Sequence, residues 1–412
     1  MKILFVCAGW GSWIPPLANM LELYPNTKVH SVYSSLGEQK QLVNEKIINL
    51  DLPNSERIES MSKNTFLKFN KIIREISPDI IHIHGPETNL AQLQNYLTDI
   101  PIVISIQGIL KGCLRHNTAF LTSEDVRPYK SLKNIFGQGG LYHMEKHCIK
   151  RVGSYESDIF DNGKYFFGRT DWDHAYVKFS NPNAYYFQGD ELLRPVFYKS
   201  RAMWNIDNVQ RHSIFMSSGF NPLKGMHLAI KAVAMLKNYY PNVVLKIPGM
   251  PLNILNRRFI KERLFGEEYI SYVKSLICDN GLQSNVEFMS RLSAEDMASE
   301  MIRTHVFLSP STVDNSPNIV GEATMVGTPI VITPVGGVMS FMENNHNCLF
   351  AASGDSYAMA YQIMKIFEDD NLAKSLSSNA VKTASERHDL KKVTEQYIRA
   401  YNEIIEIHRH NL

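Results

Sequence analysis

Cysteine is scarce: the 412-residue chain holds five (Cys7, Cys113, Cys148, Cys278 and Cys348), scattered and without a C-x-x-C pair. That spacing excludes a disulfide framework and a cysteine zinc site, and it points to a reducing compartment. Long apolar runs are missing too, since nothing approaches the roughly 18 to 20 residues that span a bilayer. Residues 1–9 carry a short apolar run that Gly9-Trp10-Gly11-Ser12 breaks without a cleavage pattern. They read as a buried first strand and not as a signal peptide. No charge of one sign dominates: 43 Lys+Arg face 41 Asp+Glu, a net of +2, too mild to imply nucleic acid. Short repeats and low-complexity tracts are absent, and 44% hydrophobic with 20% charged residues excludes a disordered or collagen-like chain.

What is present is alternation. Short runs that are apolar on both faces occur at 3–7, 28–33, 80–84, 102–106 and 165–167, then again at 213–217, 243–247, 286–289, 306–309 and 329–333. Helical periods fit between them, as at 65–76, 226–237 and 268–279. This is the pattern of βαβ units and parallel sheets covered on both sides. At roughly 150 residues per domain the length suggests two or three. Residues 198–209 carry no strong period and form the candidate linker, and 390–408 form a long final helix with Val393, Tyr397, Tyr401, Ile404 and Ile405 on one stripe. The expected division is 1–198, 199–389 and 390–412. Ligands of such sheets sit beyond the carboxyl ends of the strands, near helix N-termini, so two similar domains imply a cleft between facing strand ends.

The most informative stretch runs from Leu308 to Pro329. A strand ends at Ser309, a polar loop carries Asp314, and a helix begins near Asn318 with Glu322 in its first turns. Both acids can face one small pocket, and carboxylates suit sugar hydroxyls because each oxygen accepts more than one hydrogen bond. The free N–H groups within Ser316 to Ile319, those of Ser316, Asn318 and Ile319, suit phosphate or further hydroxyls. Taken singly, Asp314 also reads as a turn residue and Glu322 as a solvated helix acid.

This stretch resembles the signature of retaining glycosyltransferases of family 4, which have the GT-B fold: two Rossmann-like α/β domains facing a cleft, with a C-terminal helix crossing back to the first domain. The family places two acids with seven residues between them before a helix ending in Gly-x-Pro-Val-Val. Here the first is Asp314, in place of the usual Glu, and the second is Glu322. The resemblance implies that Asp314, the N–H groups of Ser316, Asn318 and Ile319, and Pro317 among them hold the donor sugar, while Glu322 holds the ribose.

The loop Ser217-Ser218-Gly219-Phe220-Asn221-Pro222-Leu223-Lys224-Gly225 follows the first strand of the second half. Glycine admits phosphate close to the backbone and Lys224 supplies a point charge, although a plain surface turn reads equally well from these residues alone. The resemblance implies a donor diphosphate on Ser218, Gly219 and Lys224. The family's Arg is replaced by Phe220 in a shortened loop. The catalytic set it implies is Asp314, Glu322 and Lys224, in binding and orientation. Arg291 and Leu292, after the 286–289 strand, border the nucleotide base by the same resemblance, or simply end a strand.

On the first domain, Pro78-Asp79-Ile80-Ile81-His82-Ile83-His84-Gly85 is similar to the family's Pro-Asp-x-x-His-x-His. His82 and His84 share one strand face, but no third ligand accompanies them, so a metal site is rejected. His82 reads as a core histidine, and His84, at the strand end, reaches toward the acceptor. Gln107 stands where relatives often have His and can hydrogen-bond a sugar. Gly11, in a loop that is not G-x-G-x-x-G, is a donor-side candidate by resemblance. Phe167 to Asp173 and Asn181 to Tyr186 resemble a bacterial surface-polysaccharide subgroup. Arg169 there either meets phosphate on the acceptor side or pairs with Asp171 or Asp173.

Residues 108–155 carry eight Lys/Arg against three Asp/Glu, with interleaved aromatics. They form either a solvated face or a patch for anionic lipid. The reading that results is a metal-independent, retaining hexosyltransferase with no cofactor. Its donor is a nucleotide diphosphate sugar, UDP-sugar favoured and GDP-sugar possible, and its acceptor a glycan or polyprenyl-diphosphate glycan. It is expected in the cytoplasm, with peripheral membrane contact through 108–155, and binds no nucleic acid. A nucleotide-sugar epimerase, a sugar phosphorylase or a non-catalytic nucleotide-sugar-binding protein are the alternatives on the same fold.

Overall fold

The structure is a computed structural model, and it describes residues 1–8, 13–35, 47–51, 59–135, 140–216, 219–249 and 267–411. Thirteen strands form two wholly parallel sheets among these residues. The first sheet uses β1 (Lys2–Cys7), β2 (Lys28–Ser35), β3 (Ile47–Asp51), β4 (Ile80–His84), β5 (Ile102–Ser105), β6 (Tyr165–Gly168) and β7 (Tyr185–Gln188), in the order β3-β2-β1-β4-β5-β6-β7. The second uses β8 (Gln210–Met216), β9 (Val244–Ile247), β10 (Val286–Phe288), β11 (Thr304–Ser309), β12 (Ile330–Ile332) and β13 (Leu349–Phe350), in the order β10-β9-β8-β11-β12-β13. In both, the order reverses beside the first strand, which is the switch point of an open α/β sheet.

The chain divides into two compact units. One comprises 1–111, 147–193 and 387–412, and the other 112–146 and 194–386. Sequence reading keeps 108–155 whole in the first domain. The contacts place 112–146 on the second unit instead: the Tyr129 hydroxyl donates to Ser275 Oγ at 2.7 Å, Lys133 pairs with Glu267 at 3.1 Å, and the Leu141 amide donates to Glu268 at 2.6 Å.

Alternation along β1 sorts the first unit's core into two layers. Leu4 and Val6 face Phe69, Ile73 and Phe166 on one side, while Ile3, Phe5 and Cys7 face Leu17, Tyr397, Tyr401 and Ile404 on the other. The helix Leu390–His410 supplies those last three residues. Asp389 caps it by accepting from the Lys392 amide, and its buried stripe recurs at helical spacing. It therefore covers the first sheet, as the GT-B resemblance implies. Among the described residues no helix is long and apolar enough to cross a membrane.

The expected strands are present, with 217 outside the described residues. Strands β3, β7 and β13 are additional. The 198–209 stretch is short helical turns that dock on the second unit: the amides of Ala202 and Trp204 donate to the carbonyls of Met325 and Val326 at 3.0 and 3.1 Å.

Candidate functional site

The loops after β8 and β11 leave the same sheet edge, because these two strands are parallel neighbours. They are laced together. The Thr312 amide donates to the Leu223 carbonyl at 2.8 Å. Gly225 has φ +70°, and a Cβ there would lie 2.1 Å from the Pro310 carbonyl oxygen. Only glycine permits that approach. The same device recurs at Gly336 after β12, with φ +54° and 2.0 Å between a built Cβ and the Asp314 carbonyl oxygen.

That lacing brings Lys224 onto Asp314, with Nζ donating to Oδ2 at 2.6 Å. The pair is half-open, the Lys224 side chain being 34% exposed and the Asp314 side chain 15%. The helix Asn318–Val326 begins immediately after, with Pro317 at its N-cap, no side-chain cap and no acid in its first turn. Its amide end thus offers partial positive charge beside Asp314. Ser316 is buried, and Pro317, Asn318 and Ile319 are half-buried.

Glu322, one turn further, is buried, and both its oxygens accept from Arg194: Nε to Oε1 and Nη2 to Oε2, each at 2.7 Å. It is not a solvated helix acid. Burial pushes its carboxyl pKa up, and the Arg194 guanidinium opposes that shift. Arg194 was not among the sequence candidates. Its partner lies 128 positions away, and no local signal marks it.

Gly219 is buried against Met226, whose Sδ a Cβ would meet at 2.3 Å. Phe220, in the family's Arg position, is exposed and lines a pocket of about 310 Å³ with Asn221, Pro222, Tyr269 and Ile270. Arg291 and Leu292 follow β10 at the carboxyl edge, with β9 and β8 between them and β11. Arg291 is exposed and Leu292 half-buried. Gly11 and Ser218 lie outside the described residues.

On the first unit, His82 is a core histidine. Its Nδ1 shares a 2.7 Å hydrogen bond with the Tyr401 hydroxyl and its Nε2 a 2.5 Å bond with Ser105 Oγ. His84 is also buried, its ring wedged among Phe5, Trp13 and His82 with centroids 4.5, 5.0 and 4.0 Å away. Burial drives both imidazole pKa values well down, and neighbouring Arg169 adds to this. Arg169 is buried over the Trp13 ring, 4.4 Å from its centroid, and its side chain pairs with Glu191 at 3.6 Å. The expected pairing with Asp171 or Asp173 is corrected on this point: Asp173 takes the backbone amides of Arg169 and Thr170 and completes a capping box for the helix Asp171–Ser180. Gln107 is half-buried just beyond β5.

The fold and this loop arrangement define a class: an α/β chain of the GT-B kind, two Rossmann-like parallel-sheet units with the final helix on the first. Residues 202–383 match the family model described as "Glycosyl transferases group 1". The chain is similar to the lipopolysaccharide core biosynthesis glycosyltransferase LpsE of Rhizobium meliloti, 27% identical over 186 residues, 45% of this chain and 48% of that relative. The chain matches about half the length of such curated relatives. Among solved structures, sucrose-phosphate synthase from Thermosynechococcus elongatus superposes with a TM-score of 0.71 at 13% identity, covering 98% of this chain and 99% of the other. Anabaena Alr3699/HepE in complex with UDP-glucose gives 0.65 at 18% identity, covering 98% and 100%. At these identities the structural likeness carries the fold.

Proposed function

We propose that the chain is a retaining, metal-independent glycosyltransferase. It moves a hexose from a nucleotide diphosphate sugar, a UDP-sugar in preference to a GDP-sugar, to a glycan or polyprenyl-linked glycolipid of a bacterial surface polysaccharide. The observation that carries this reading is the Lys224–Asp314 pair beside an uncapped helix start. The family match over 202–383 and the UDP-glucose of the Anabaena neighbour support the donor class.

In this reading Asp314 accepts from the sugar hydroxyls, the N–H groups of Ser316, Asn318 and Ile319 donate to them beside Pro317, and Glu322 accepts from the ribose. Gly219 and Lys224 approach the diphosphate, Ser218 and Gly11 belong to the same donor group, and Arg291 and Leu292 border the base. Lys224 has three ammonium donors, of which Asp314 uses one, so the others meet the phosphate. As the sugar C1–O bond breaks, its electron pair passes to the leaving phosphate oxygen, where a fixed cation and helix dipole stabilise it. The acceptor oxygen bonds to C1 on the same face, and its proton passes to that phosphate. His84, Gln107 and Arg169 belong to the acceptor side. Peripheral contact with anionic lipid at the inner face of the cell membrane is part of the proposal. Exposed Leu132, Ile135 and Met144 on the second unit support it.

The test is incubation of the full chain with UDP- and GDP-sugars, with and without lipid-linked glycan acceptors. Nucleotide diphosphate release that rises with acceptor, survives EDTA and is lost in Asp314→Ala supports the reading. Sugar conversion without acceptor would replace it with an epimerase.

A further inference from the structure

The Arg194–Glu322 fork is over-determined for a surface ion pair. Arg194 precedes Pro195, and its backbone is extended at φ −63°, ψ 142°, as a pre-proline residue prefers. The chain that follows is fastened along the far end of Glu322's own helix by the Ala202 and Trp204 amides. The guanidinium also rests on the Phe197 ring, 4.9 Å from its centroid. Backbone, ring and segment docking therefore aim one planar fork at one buried carboxylate, and both carboxylate oxygens are met at 2.7 Å.

A carboxylate has about four lone-pair sites, and the fork uses two. Those that remain are fixed in direction. Among the described residues Arg194 is the charged group acting on Glu322. Glu300 of the adjoining helix Ala294–Arg303 is engaged elsewhere, pairing with both Lys246 and Arg303.

We infer that Arg194 is a positioning residue of the donor site, holding the Glu322 carboxylate in the orientation that accepts hydrogen bonds from the nucleotide's ribose hydroxyls. This rests on the donor-site reading of Glu322. Arg194 touches Glu322 and acts through it. Lysine in its place keeps the charge but not the fork.

The probe is UDP, titrated calorimetrically against wild type, Arg194→Lys and Arg194→Gln at pH 6 and pH 8, with ligand-free melting curves on the same samples. In Arg194→Gln the buried carboxylate loses its cation and takes up a proton more readily, so it accepts fewer hydrogen bonds. The expected result is UDP affinity about tenfold weaker than wild type at pH 6 and partly restored at pH 8. Arg194→Lys is expected within about threefold of wild type. Affinity in Arg194→Gln equal to wild type at both pH values overturns the inference, as does an identical loss at both pH values shared by the Lys variant. Wild-type protein that binds no UDP removes the donor-site reading itself. The pairing is then judged from melting alone, where Arg194→Gln/Glu322→Gln should melt above Arg194→Gln, and failure to do so overturns the coupling.

Discussion

Asp314 and Glu322 look alike as letters, two acids flanking one helix start, yet the structure gives them opposite settings. Asp314 sits half-open in a loop, held by a single bond from a flexible lysine. Glu322 is buried and gripped by both arms of a guanidinium whose own backbone is fixed. A half-open pair held by one bond exchanges partners more readily than a two-bond fork on a buried carboxylate. The first acid's contact is thus the adjustable one, and the second acid's is fixed.

Catalysis should break this contrast most visibly. Asp314→Ala and Glu322→Ala are each expected to lower kcat/KM for donor by about 100-fold or more, measured at saturating acceptor. Stability should then separate them. Arg194→Gln is expected to cost roughly 2 to 3 kcal/mol in denaturant unfolding, after discounting for the partial exposure of Arg194, because it strands a buried charge. Lys224→Met is expected to cost under about 1 kcal/mol while still lowering activity. Gly225→Ala lies between them at about 2 kcal/mol, since its Cβ would collide with the Pro310 carbonyl and push Lys224 away from Asp314.

Acidification gives a different measure of burial. His227 and His305, both buried, have pKa values lowered to about 4, chiefly by loss of solvation. The unfolded chain binds protons at these sites near pH 6.5 and the folded one does not, so stability falls as pH drops below that value. Each should contribute roughly 2 kcal/mol of loss between pH 7 and pH 5, read as a falling denaturation midpoint. Replacing either by Gln should flatten that slope. The smallest expected effect is Tyr401→Phe, about 1 kcal/mol, from loss of the hydroxyl bonded to His82.

Much of this was legible in the residues. Apolar runs such as 80–84 and 306–309 sit as buried central strands because only such runs suit a sheet covered on both faces. Strand β7 was not read as a strand, because its side chains are exposed or half-exposed and its sequence lacks that mark. Strand β13 is only two residues long. At the site, Lys224, Asp314 and Glu322 were named from local spacing. Arg194 was not, because its meaning lies wholly in a tertiary contact that no window of sequence contains. The 112–146 segment escaped for the same reason: its partners Ser275, Glu267 and Glu268 lie more than a hundred positions downstream. Arg169 pairs with Glu191, 22 positions on, although Asp171 and Asp173 are nearer in sequence. One of those, Asp173, is spent on a helix cap.

The threading of the chain has a practical corollary. Because the first unit takes its residues from three separate stretches and the second from two, the polypeptide passes back and forth four times. No single cut can therefore liberate either half intact. Removing residues 387–412 would strip Tyr397 and Tyr401 from the first sheet and uncover Phe5 and Phe167, a lesion felt hundreds of positions away in the chain.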